Sequence, residues 1–189
     1  MVLTAYVDES MRRRRGEGAC FYVLAAVLVD DSDLDDVRAV LRGLRYGKSR
    51  ELHWRDERPE RRPLIAEAVA GLPVAAVVAV CIHGPSVPSE RARRLSLGRL
   101  LHELSVEGVN QAVFDSRRDQ DRSELRLIQN WRRFGRPGCD VRTDFFVSAS
   151  EPALWAADCA AGAVAWWLNG DAVGWQHLEA VTRVVDVDP

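Results

Sequence analysis

The chain has 189 residues, 47% of them hydrophobic and 29% charged, an ordinary globular composition that excludes a fibrous or largely disordered chain. The length suits one domain with a substantial core, and residues 1–189 are read as a single domain. With 26 basic and 28 acidic residues the formal net charge is -2, so the total does not mark a nucleic-acid binder, although every basic residue except Lys48 is an arginine.

In chain order, Val2 to Val7 is short, apolar and partly β-branched, and predicts a central strand delivering Asp8 and Glu9 at its carboxyl end. Met11 to Gly18 reads as a turn carrying Arg12, Arg13, Arg14 and Arg15, and Cys20 to Val29 as the second strand of a hairpin. Leu34, Val37, Val40, Leu41 and Leu44 recur at helical spacing behind a Ser32 cap. A polar segment, SRELHWRDERPERR, and a short helix from about Pro63 to Ala70 precede a third strand, Val74 to His83. A helix from about Ser89 to Glu107 leads to a fourth strand, Asn110 to Phe114, ending at Asp115. The charged stretch to Arg133 is helical with Leu125, Ile128, Gln129 and Trp131 inside, and a fifth strand, Val141 to Val147, leads into an apolar helix to about Leu168. Strands alternating with helices after a hairpin predict an α/β fold, a mixed five-stranded sheet with helices on both faces.

Cys20, Cys81, Cys139 and Cys159 form no C-x-x-C and are read as small buried side chains of a reduced protein. Two acids by residue 9 argue against a signal peptide, and the apolar run from Val74 to Ile82 is half of what a membrane crossing needs. The expectation is a cytoplasmic protein with no membrane partner.

The carboxylates carry the chemistry. If the first and fourth strands are parallel neighbours, Asp8 and Asp115 stand side by side. From Ala153 to Leu168 the last helix holds one charge, Asp158, which costs several kcal/mol to bury unless it is paired or bound to a metal. Leu154, Asp158, Ala161, Gly162 and Ala165 share a helix face, and their small size would aim Asp158 at the strand ends. Asp115 alone also fits a turn or helix cap, and Asp158 alone also fits a structural pair with an arginine. Gathered carboxylates without matching lysines repel one another, and Mg2+ or Mn2+ relieves that better than zinc does. Glu51 is the first choice for a fourth acid. His53 faces the same way if that piece is extended, and Glu9 would point to the opposite face unless the strand ends there. Glu103 and Glu107, on a helix, read as solvated.

The stretch AYVDES, the strand FYVLAAVLV, RELHW, the strand ending at Asp115 and LWAADCAAGAVAWWLNGD together resemble domain-of-unknown-function family 3800, a bacterial family. The resemblance covers most of the chain in the right order and implies a ribonuclease-H-like fold. It implies a divalent-metal-dependent nuclease with Asp8, Glu51, Asp115 and Asp158 as catalytic and metal-binding residues and Glu9 and His53 as further candidates. The family's opening motif usually continues with Gly, where this chain has Met11 and four arginines. Ribonuclease-H-like enzymes generally place the second acid on the helix before the fourth strand, which would favour Glu103 or Glu107 over Glu51.

Nucleic acid, DNA or RNA, is the implied partner. Residues 117–142 hold eight arginines against four acids, directly after Asp115, and Arg12, Arg13, Arg117 and Arg118 are the candidate phosphate contacts. Solvated surface charge is the plain alternative for these arginines. The rival to an enzyme is a binding or regulatory module on the same scaffold. Trp166, Trp167 and Trp175 would suit a homodimer interface or the core.

Overall fold

The computed structural model describes residues 2–12 and 20–189. Six strands, β1 (Leu3–Arg12), β2 (Cys20–Asp30), β3 (Val74–His83), β4 (Gln111–Asp115), β5 (Arg142–Phe146) and β6 (Thr182–Asp186), make one sheet in the order β5-β4-β1-β2-β3-β6. β2 runs antiparallel to β1 and β3, whereas β4 is parallel to β1, β5 to β4 and β6 to β3. The class is therefore α/β with a mixed sheet, but of six strands rather than five. The sixth was missed because a five-residue edge strand with one buried side chain, Val185, carries too little periodicity to read.

The eleven residues of β2 are all buried except Asp30, because both faces of this strand are covered. Val23, Ala25, Val27 and Val29 enter one apolar layer, and Tyr22, Leu24, Ala26 and Leu28 the other. The first layer is closed by α1 (Leu34–Gly43), α2 (Arg62–Ala70), α5 (Ala153–Trp167) and α6 (Trp175–Leu178). The second is closed by α3 (Ser89–Val106) and α4 (Asp121–Arg133). The helix α5 lies across β1 and β2, and α3 across β2 and β3.

Some local expectations are corrected. Asp8 does not end its strand: β1 pairs with β2 through Arg12 opposite Phe21, so Met11 and Arg12 are strand rather than turn. Arg13, together with Arg14 and Arg15, lies outside the described residues. Asp33, not Ser32, occupies the cap position of α1, since the Ser32 amide and hydroxyl both turn back to donate to Asp30. On α4 Gln129 is exposed, and Glu124 is buried beside Ile128 instead. The four cysteines are buried and free. Among the described residues no helix is long and apolar enough to cross a membrane.

Candidate functional site

The sheet brings Asp8 and Asp115 together. β1 and β4 are in parallel register from Thr4 opposite Gln111 to Val7 opposite Phe114, and the next residue on each strand is an aspartate. Tyr6 and Val113 enter the α5 layer, while Val7 and Phe114 enter the other, so alternation turns both carboxylates toward α5. Asp8 Oδ1 accepts the Glu9 amide at 2.7 Å, and Asp115 Oδ1 accepts the Ser148 amide, just after β5, at 2.9 Å.

α5 supplies the third acid. Asp158 is 8% exposed on a helix whose every residue from Ala153 to Ala165 is buried. Its Oδ2 accepts the Trp54 amide at 2.6 Å and stands 3.2 Å from His53 Nδ1. The bond to Asp158 outweighs partial burial and raises the His53 imidazole to about 9. Among the described residues Asp158 has no arginine partner. Trp54 is held by close approach: a Cβ on Gly162 would stand 2.2 Å from its Cδ1, and one on Gly174 2.7 Å from Cη2. Small residues on α5 thus admit the indole, and the indole fixes the amide that binds Asp158.

Glu51 completes the group. Asp8, Glu51, His53, Asp115 and Asp158 line one cavity of about 150 Å³, closed by Leu52 and Ser148 and by no arginine or lysine among the described residues. Burial first, and then the Asp158 carboxylate, push the Asp8 carboxyl well above the usual range, while the Glu9 amide opposes them. Burial likewise raises Asp115, with Glu51 and Asp158 adding repulsion against the Ser148 amide. Oxygen-only carboxylate donors suit a hard divalent cation. As the side chains stand, no group of three or more acidic, histidine or cysteine residues among those described is drawn to metal-holding spacing. The donor chemistry fits such an ion, and the side-chain spacing is wider than direct ligation requires.

Glu9 is absent from the lining of that cavity but, with Arg55 and Arg117, lines an adjoining one of about 210 Å³ that Asp8, His53, Asp115 and Asp158 share. On the opposite face of β1 it accepts the Tyr22 hydroxyl, lies 3.4 Å from Arg117 and lies 3.8 Å from Arg93, which is itself paired with buried Glu124. The sequence reading missed this buried ionic cluster. Its signals were present: Arg93 shares the buried α3 face of Leu97, Leu100 and Leu104, and Glu124 lies one turn before Ile128. Arg117 is thereby tied to Glu9 and to Gln120 rather than free. Arg118 is exposed, in the left-handed region at φ 55°, with its amide donating to Ser116 Oγ. Glu103 is not solvated: it is buried against Arg99 and Arg183, at 2.6 Å each, and Arg183 also reaches Glu107 at 2.8 Å. Both glutamates thus face β6 and not the carboxylate cavity.

Beside that cavity, and sharing His53 and Asp158 with it, runs a groove of about 420 Å³ that Arg12 and Trp166 help to line. Trp167 stacks on Trp175 with ring centroids 4.9 Å apart. In comparisons with known proteins, no family model and no curated protein sequence matches the chain.

Proposed function

We propose that the chain is a divalent-metal-dependent nuclease of ribonuclease-H-like fold, akin to domain-of-unknown-function family 3800, which hydrolyses phosphodiester bonds of nucleic acid. The observation that carries this reading is the convergence of Asp8, Glu51, Asp115 and Asp158, from four separate segments, on one cavity. Carboxylates gathered in this way repel one another, and a hard divalent cation relieves that repulsion. The fold is supported by the antiparallel opening hairpin, the parallel strands that follow and helices on both faces.

In this reading Asp8, Asp115, Asp158 and Glu51 would hold Mg2+ or Mn2+, and the chemistry supplied there would be acidification of an attacking water and neutralisation of charge on the leaving oxygen. The Trp54 amide fixes one Asp158 oxygen, and the Ser148 amide fixes one oxygen of Asp115. The half-exposed His53 ring stands on the cavity rim beside Asp158, where a phosphate oxygen would enter.

The test is cleavage of DNA, RNA and hybrid substrates with Mg2+ or Mn2+. Asp8→Asn and Asp158→Asn are expected to abolish it while the circular dichroism spectrum is retained. Cleavage unchanged in both variants overturns the assignment, and tight nucleic-acid binding without cleavage by the native chain supports the binding-module reading instead.

A further inference from the structure

The groove of about 420 Å³ has the makings of a substrate subsite, and its size falls in the ~300–1,000 Å³ range of small-molecule sites. Trp54, Phe21, Met11 and Trp166 give it an apolar lining. Asn169 supplies an amide, Arg12 and Arg55 bring positive charge, and Glu9, Asp158 and Asp171 bring negative charge. At one end it opens on His53 and Asp158, which also line the carboxylate cavity.

The aromatic wall is built before any ligand arrives. Arg62 lies over Trp166 at 3.7 Å from the ring centroid, and is itself 8% exposed. Its Nε donates to the Trp54 carbonyl at 3.2 Å and its Nη2 to the Arg55 carbonyl at 3.1 Å. One buried guanidinium therefore fixes the Trp166 ring to the segment that carries His53. A rigid aromatic wall, polar groups for a heterocycle's edge and a path to a phosphodiester site together match one chemical class.

We propose that this groove takes one unpaired nucleoside of the substrate, its base against Trp166 and Phe21 and its phosphate reaching the carboxylates past His53. The inference rests on the nuclease reading and sharpens it, because a base still stacked and paired in a duplex cannot enter such a groove. The substrate class is single-stranded nucleic acid, or a frayed or flipped nucleotide.

The experiment uses the full chain in excess EDTA, so that binding is read without hydrolysis. The probes are a single-stranded DNA oligonucleotide carrying 2-aminopurine and a blunt duplex of the same sequence with that base paired. The single strand is expected to bind at least tenfold more tightly, with quenching of 2-aminopurine emission. Trp166→Leu is expected to weaken the single strand by about tenfold, the scale of one lost base stack, and to relieve the quenching. Ser10→Phe, which fills the groove from β1 and leaves the Arg62 contact in place, should do the same if Trp166→Leu fails to fold. Equal affinity for the two probes overturns the inference, as does retained affinity in a folded variant. The two readings fail separately. A chain that binds the single strand in the groove and cleaves nothing with Mn2+ loses the nuclease reading alone. One that cleaves single strand and duplex alike, with the same KM after Trp166→Leu, loses the groove alone.

Discussion

Asp8 and Asp115 occupy equivalent positions on adjacent parallel strands, one residue past the Val7 and Phe114 pair, and face the same side of the sheet. An acid whose pKa is raised in the folded state holds its proton more tightly there than in the unfolded chain. Its burial therefore costs nothing at low pH, and stability is lost as pH rises from the ordinary value of 3.8 toward the raised one. Asp8→Asn is expected to raise the Tm of the metal-free protein at pH 7 by a few degrees, each kcal/mol being worth roughly 2–4 °C at this chain length. The gain should shrink toward zero near pH 3. Thermal unfolding in EDTA at the two pH values measures it, and a lowered Tm at pH 7 would contradict the repulsion.

Gly162 is where α5 makes room for Trp54. An added methyl would stand 2.2 Å from the indole Cδ1, so Gly162→Ala must push the ring or the helix aside. Overpacking of this kind costs about 1–3 kcal/mol. The urea midpoint should fall accordingly. The His53 ring resonances should also move, because displacing Trp54 disturbs the amide beside them that binds Asp158.

The Glu103 and Arg183 pair fastens the last strand to α3. Arg183, then Arg99, hold the Glu103 carboxyl below its ordinary value of 4.5 against the opposing effect of burial. The sign is opposite to that of Asp8: the pair's contribution is present above about 4.5 and is lost as pH falls through the lowered folded value. Arg183 is 44% exposed, so the pair contributes no more than about 1 kcal/mol. Glu103→Gln should lower Tm slightly at pH 7, and by progressively less as the pH falls below 4.5. Hydrogen exchange should show β6 opening more readily in the variant at pH 7, with the difference shrinking on acidification.

Arg122, Arg126 and Arg133 are exposed and recur at three- to four-residue multiples along the outer side of α4, Arg118 is exposed in the turn just before that helix, and none of the four forms an ion pair among the described residues. If nucleic acid follows this side of the molecule away from Asp115, each contact releases condensed counterions. Replacing each arginine by alanine should then flatten the slope of log K against log salt by about 0.7 for a single strand. Arg117→Ala should act differently, since Arg117 is held against Glu9, and should disturb the chain around Asp115 more than the salt slope. Titrations by fluorescence anisotropy at several salt concentrations separate the two effects.

Much of the architecture was legible because it is written in short-range pattern. The apolar run of β2, the helical spacing of α1 and the lone charge of α5 each follow from residues within a few turns of one another, where backbone preference and burial act. The same reasoning could not see β6, whose order comes from pairing with β3 across a long stretch of chain. Nor could it see that β1 runs on past Asp8, which is decided by the ladder to β2.

Sequence alone determined which acids are costly to bury and need an explanation: Asp158 on an apolar helix, and Asp8 and Asp115 at apolar strands. Tertiary structure alone decided which of them share a cavity and which are neutralised. Glu103 is claimed by Arg183, 80 residues later, and Glu9 by Tyr22 and Arg117, while Glu51 is left to face Asp115. Charges act through space over a few ångströms, and the fold, not the spacing along the chain, sets those distances.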